Sequence, residues 1–97
     1  MNAETIITSL KTQAANIDPL GAKIKFVLDE DSIMIDGTGD TNVISASDGE
    51  ADCVISTTKE TFSKLQSGEV NPMMAVMMGQ LKIKGDMGLA MKIQSLI

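Results

Sequence analysis

Between Lys23 and Leu28 the side chains alternate, with Ile24, Phe26 and Leu28 on one side and Lys23 and Lys25 on the other. Successive side chains of an extended strand point to opposite sides of the pleat, so this stretch predicts a strand with one buried and one wet face. Such a strand commits the chain to an open sheet whose apolar side must be covered by helices. Ninety-seven residues leave room for one domain, residues 1–97, and one small core.

The same reading extends in both directions. Ile6, Ile7, Leu10, Ala14 and Ile17 recur at helical spacing, and Asp18-Pro19-Leu20-Gly21 ends that first helix. After the strand, Asp29-Glu30-Asp31 marks a turn, and Ile33 and Ile35 continue the alternation to a second turn at Asp36-Gly37-Thr38-Gly39-Asp40. A third strand runs from about Thr41 to Ala46 and ends at Ser47-Asp48-Gly49. A fourth sets Ala51, Cys53 and Ile55 against Asp52, Val54 and Ser56. Three turns this short predict antiparallel neighbours.

Beyond residue 56 the period changes. Thr57 and Glu60 have the spacing of a capping box opening a helix with Phe62 and Leu65 on one face, and Gly68 stops it. Asn71-Pro72 supplies an N-cap and a first-turn proline for a short helix of Met73, Met74, Ala75, Val76, Met77 and Met78, closed by Gly79. This helix has no polar face, so protein or ligand must cover it all round. Leu81 and Ile83 alternate with Lys82 and Lys84 as a fifth strand, and Asp86 caps a last helix from Met87 to about Leu96.

Six of the eight methionines (Met73, Met74, Met77, Met78, Met87 and Met91) therefore fall on two helices flanking one strand. Thioether side chains are unbranched and adaptable, and suit a surface that fits apolar partners of variable shape. Energetics point the same way. An empty pocket of about 300 Å³, the lower end for ligand sites, would cost about 7 kcal/mol at about 24 cal/mol per Å³. The whole stability of a domain is about 5 to 15 kcal/mol. A pocket here must be occupied, or lined by side chains loose enough to collapse into it, as methionines are.

Composition excludes several function classes. All eight basic residues are lysines, thirteen acids outnumber them, and Phe26 and Phe62 are the only aromatics, so phosphate neutralisation, base reading and base stacking lack their usual residues and no nucleic-acid partner is expected. Without histidine, histidine-based triads and metal sites are excluded. Cys53 is the best remaining nucleophile, but alternation places it on the apolar strand face as an inert buried thiol. The acids at positions 29–31, 36 and 40 lack the pattern of a calcium loop and read as solvated turns. Asn42 stands where a dinucleotide fingerprint starting at Gly37 needs its third glycine. We expect no catalytic residue, no metal and no cofactor.

A single cysteine cannot form an internal disulfide, no apolar run is long enough to span a membrane, and Asn2-Ala3-Glu4-Thr5 lacks the basic start of a secretory signal. A reduced, cytoplasmic setting is expected. Charge is uneven: residues 1–69 carry five lysines against twelve acids, net minus seven, whereas residues 70–97 carry Lys82, Lys84 and Lys92 against Asp86, net plus two. Transient contact of the methionine-rich segment with an anionic membrane is one reading. Ordinary solvated lysines on a strand and a helix are the plainer one.

Gly49-Glu50-Ala51-Asp52-Cys53 leading into a strand, Gly68 and Asn71-Pro72, Leu81-Lys82-Ile83-Lys84-Gly85 and above all Met87-Gly88-Leu89-Ala90-Met91-Lys92 resemble, in order and spacing, the sterol carrier protein type 2 family. The likeness is strong over residues 49–97 and one of pattern before that. It implies an α+β fold, a five-stranded mainly antiparallel sheet with helices packed on one face, enclosing an apolar tunnel for fatty acids, fatty acyl-CoA, phospholipids or sterols. Similar domains carry no catalytic residues of their own. Eukaryotic relatives usually place aromatic residues where this chain has Val76, Met77 and Met78, so its tunnel wall is softer. Ser95-Leu96-Ile97 lacks the basic middle residue of a peroxisomal signal, which favours a microbial cytoplasmic protein and disfavours sterol as its ligand.

Two functions follow. In the leading one the chain is a noncatalytic intracellular lipid carrier whose acyl site uses Met73, Met74, Met77, Met78, Met87, Leu89, Met91 and Ile93, with Phe26, Ile35 and Phe62 as further walls. In the alternative the same methionine-rich surface is buried against a protein partner or in a homodimer.

Overall fold

The computed structural model of the protein describes residues 3–92. The chain runs α1 (Ala3–Ala14), β1 (Lys23–Leu28), β2 (Asp31–Asp36), β3 (Val43–Ser45), β4 (Cys53–Thr57), α2 (Lys59–Ser67), α3 (Pro72–Met77), β5 (Lys82–Gly85) and α4 (Met87–Lys92). The five strands form one sheet in the order β3-β2-β1-β4-β5. Expected and observed elements correspond one to one; the part of the last helix expected beyond Lys92, with Ile93, lies outside the described residues.

The alternation in β1 does what its pattern requires. Ile24, Phe26 and Leu28 are fully buried, as are Ile33 and Ile35 of β2, Cys53 of β4, and Ile6, Leu10 and Phe62 of the covering helices. Phe26 and Phe62 meet edge to face, with ring centroids 5.4 Å apart at 70°. The two-residue turn at Asp29-Glu30 is set by Asp29, at φ 57°, a conformation that a short polar side chain tolerates. Its carboxylate also accepts the N–H of Lys59, tying the β1–β2 hairpin to the start of α2.

Strand pairing departs from expectation in one respect. The pairs β1–β2, β2–β3 and β4–β5 are antiparallel, but β4 does not pair with β3; it lies parallel to β1. The parallel pair is joined by the β2–β3 hairpin and a crossover at 46–52, which together supply the long connection that parallel neighbours need. The crossover passes over the face that alternation marks as wet. Asp48 accepts from Lys25 Nζ and from Ser32 Oγ, each at 3.2 Å, and Met34 is buried beneath the segment, its methyl beside Gly49. The turn residues Ser47-Asp48-Gly49 serve a crossover as readily as a hairpin, so local chemistry did not distinguish the two.

These contacts hold the Asp48 carboxyl below the ordinary carboxylate range, the Lys25 hydrogen bond contributing most and Ser32 next. Because the folded value is depressed, the stabilisation is present above the unfolded value and is lost as pH falls through the folded one. Asp48 is therefore expected to titrate below a free aspartate when its carboxyl carbon is followed by NMR, and Lys25 and Ser32 resonances to shift in step. A midpoint at or above the free value would contradict the tether.

A second difference is the start of α2. Thr58, not Thr57, is the N-cap, its hydroxyl accepting from Thr61 N at 3.0 Å. Thr57 remains in β4 on the inward face with Cys53 and Ile55, where its hydroxyl donates to the Gln80 carbonyl at 2.7 Å. Strand periodicity outranks the capping signal here, because on the inward face the buried Thr57 hydroxyl finds a partner in this part-buried carbonyl. Gly68 ends α2 in the left-handed conformation, as expected, its N–H bonding back to Leu65 and Lys64.

Candidate functional site

Helix α3 is built from its cap outward. The Asn71 side chain accepts the Met73 N–H at 2.8 Å, Pro72 occupies the first turn, and only Ala75 is buried. A methyl group at that position brings the helix backbone close to the core, and the amides of Gln80 and Leu81 both bond to the Ala75 carbonyl. Gly79, at φ 76°, makes the reversal that sends the chain into β5. The remaining side chains are left outside: Met73 is 62% exposed, Met74 53%, Val76 38%, Met77 81% and Met78 65%. The helix that has no polar face is thus uncovered over most of its circumference.

With so little buried area holding it, α3 depends on its cap. Asn71→Ala is expected to lower stability by about 0.5–2 kcal/mol and to speed amide exchange at Met73 more than at any β1 amide. Equal exchange at both would show that the cap does not hold the helix.

Helix α4 faces α3 across the edge of the sheet. Asp86 opens it, its carboxylate accepting the Gly88 N–H at 2.8 Å, and Leu89 and Ala90 are its buried side chains. Met87 and Met91 stand out at 55% and 69% exposed. Gly85 before it is at φ 104°, in a position where any Cβ would strike the Asp52 carbonyl and come within 3.1 Å of Cys53 Cα. Only glycine lets β5 lie this close to the start of β4, which fixes where α4 begins.

Between the two helices lies an open groove of about 160 Å³. Its walls are Met73 and Met77 from α3 and Met87 and Met91 from α4, two pairs at i, i+4 spacing and so each on one helix face. Pro72, Val76 and Ala90 complete the helical side, and Ile55, Leu81 and Ile83 form the floor. Among the described residues no charged or hydrogen-bonding side chain lines it. The register sets Lys82 and Lys84 opposite Ser56 and Val54, on the other sheet face from Ile55 and Ile83, so these lysines do not ring the groove.

Of the residues singled out from sequence, the structure brings Met73, Met77, Met87 and Met91 together. Met74 and Met78 are exposed away from the groove, and Leu89 packs inward. Phe26, Ile35 and Phe62 are fully buried core residues. Ile93 is outside the described residues. Sequence reasoning passed over Ile55, Leu81 and Ile83, although their alternation with polar neighbours had already put them on the helix-covered face; Pro72, Val76 and Ala90 carried no separate signal.

Among the described residues no nucleophile or titratable side chain lines the groove. Burial pushes the Cys53 thiol up, with the Asp86 charge adding to it, so it stays protonated and shielded. Among the described residues no three acids or cysteines converge as a metal site. No described helix is long and apolar enough to cross a membrane.

The sequence profile of the SCP-2 sterol transfer family matches residues 3–97. Sterol carrier protein 2 of Homo sapiens is 47% identical over 58 residues, which is 60% of this chain and 11% of that protein. The chain thus corresponds to about a tenth of the length of such relatives. Among solved structures, the crystal structure of sterol carrier protein 2 like 2 from Aedes aegypti superposes with a TM-score of 0.78 at 17% identity, covering 97% of this chain and 94% of the other. A solution structure of palmitated SCP2L2 from Aedes aegypti gives a TM-score of 0.74 at 18% identity, covering 99% and 94%. At such identities these two comparisons establish the shared fold.

Proposed function

Since the chain belongs to the SCP-2 sterol transfer family, we propose that it is a noncatalytic intracellular lipid carrier. It takes the acyl chain of a fatty acid, fatty acyl-CoA or phospholipid between α3, α4 and the floor of β4 and β5. The observation that carries this reading is the uncovered helix α3, whose methionines wall a groove with no polar side chain among its described lining residues. Exposing such side chains forgoes roughly 1.5 to 3 kcal/mol for each one that could be buried, and an acyl chain laid between them recovers that burial. Palmitate on a protein of the same fold is in keeping with an acyl ligand.

The groove is smaller than ordinary ligand sites, about 160 Å³ against about 300–1,000 Å³. Binding therefore needs the methionines to swing aside and lengthen the groove into a tunnel, a motion their three rotatable bonds permit. The same exposed thioethers would meet a membrane during loading, as a transient apolar contact. Lys82 and Lys84, on the opposite sheet face, contribute little to it. A free buried cysteine suits the reducing cytoplasm.

The test is to extract the purified protein under denaturing conditions, record the masses released, and titrate the stripped protein with a fluorescent fatty acid. Copurifying lipid and saturable uptake displaced by long-chain acyl compounds are expected. Absence of both would end the carrier reading, and a concentration-independent dimer mass alongside it would favour burial of the methionine surface against a second copy.

A further inference from the structure

We propose that Met73, Met77, Met87 and Met91 form an oxidation-sensitive site, at which oxygen transfer from a peroxide to the thioether sulfurs makes the groove polar and expels its ligand. The consequence for the ligand rests on the carrier reading above; the oxidation pattern does not.

Three observations carry this. First, the four side chains are each more than half exposed, so their sulfurs meet a dissolved oxidant directly, whereas Met34 is 6% exposed beneath the crossover. Second, the chain's one thiol, Cys53, is fully buried in the core, so the oxidisable sulfur of the surface is thioether, Met74 and Met78 included. Third, the described residues that line the groove include no hydrogen-bonding side chain, so a sulfoxide oxygen turned into it finds no partner among those side chains once a hydrocarbon chain displaces water.

The chemistry balances without any group from the protein beyond the thioether. A sulfur lone pair attacks one oxygen of hydrogen peroxide, the O–O bond breaks, an S–O bond forms, and the departing hydroxide leaves as water after proton transfer. Each sulfur is oxidised by two electrons and one peroxide is reduced. Return requires a thiol-dependent sulfoxide reductase, which removes the oxygen as water and is left as a disulfide.

Methionine usage in the groove gains a second meaning from this. Leucine or isoleucine would supply the same apolar wall without the sensitivity, and both are abundant elsewhere in the chain. The i, i+4 pairs put two oxidisable sulfurs on each side of the groove, so conversion of either helix spoils it.

The experiment treats the stripped protein with graded hydrogen peroxide, with and without saturating palmitate, and maps sulfoxides by peptide mass spectrometry. Affinity for 11-(dansylamino)undecanoic acid is measured before and after. Expected results are conversion of the four groove methionines before Met34, their slowing by palmitate while Met74 and Met78 remain unprotected, and a fall in affinity of about tenfold for each sulfoxide that must face the chain. Affinity should recover when methionine sulfoxide reductase and a dithiol remove the oxygen. In a variant with all four replaced by leucine, the ratio of affinities before and after peroxide should stay near one, whatever its starting affinity.

Probe uptake by the reduced protein that is unchanged after full oxidation overturns the proposal and leaves the carrier reading standing. Palmitate protection that spreads equally to Met74 and Met78 overturns the assignment to the groove. Failure of the reduced protein to take up the probe at all overturns the carrier reading, and the ligand-expelling role with it. Affinity that stays low after the sulfoxides have been reduced indicates unfolding and also overturns it.

Discussion

Met77→Asp is expected to leave the domain folded and to weaken acyl binding by about two orders of magnitude. Met77 is the most exposed of the large apolar side chains described, at 81%, and helix α3 is anchored through Ala75 rather than through it. An aspartate near the C-terminal end of α3 meets the wrong pole of the helix dipole, which costs only about 0.3–1 kcal/mol. Binding is another matter. A carboxylate held against hydrocarbon costs about 2.5–3.5 kcal/mol on insertion scales, which is about 100-fold in affinity. Circular dichroism and a denaturant titration would establish the fold, and displacement of a fluorescent fatty acid the affinity. A folded variant that binds as the parent does would move Met77 off the site.

Phe62→Ala should do the reverse, removing about 3–5 kcal/mol of stability. Phe62 is fully buried on the inner face of α2 and meets Phe26 edge to face. Truncation loses the transfer energy of the ring, leaves a void, and breaks an aromatic pair worth about 0.5–1.5 kcal/mol beyond its area. Against a total of about 5–15 kcal/mol, that is a large fraction. The melting temperature of a domain this size should fall by about 12–40 °C. Urea unfolding would read the change directly as a lower midpoint. An unchanged midpoint with weakened acyl binding would return Phe62 to the ligand wall, where sequence reasoning had placed it.

These two substitutions mark the boundary between what was legible along the chain and what was not. Alternation at Ile24, Phe26 and Leu28 showed which sheet face is buried, because side-chain direction in a strand is a local property of the backbone. Asn71-Pro72 and Gly68 marked helix ends for the same reason: a cap acts within a few residues of its own position. The methionine surface was legible as apolar and uncovered. Which methionines share a wall was not, because Met74 and Met78 each follow Met73 and Met77 by a single residue along α3 and its C-cap, and no residue in that helix is polar enough to show its outer side.

Long-range decisions were likewise out of reach. The segment Ser47-Asp48-Gly49 has the composition of a turn, yet it belongs to the crossover that carries β4 past β2 and β1. Thr57 has the spacing of a cap but keeps its strand direction, because the Gln80 carbonyl that needs its hydroxyl comes from more than twenty residues away. The chain alone therefore determined the element types, the buried face of the sheet and the presence of an apolar surface too large for its own core. Tertiary structure decided which strands are neighbours, which aromatics are core, and that two methionines from each of α3 and α4 close on one groove. Those outcomes rest on contacts between distant segments, whose energies exist only once the segments are together.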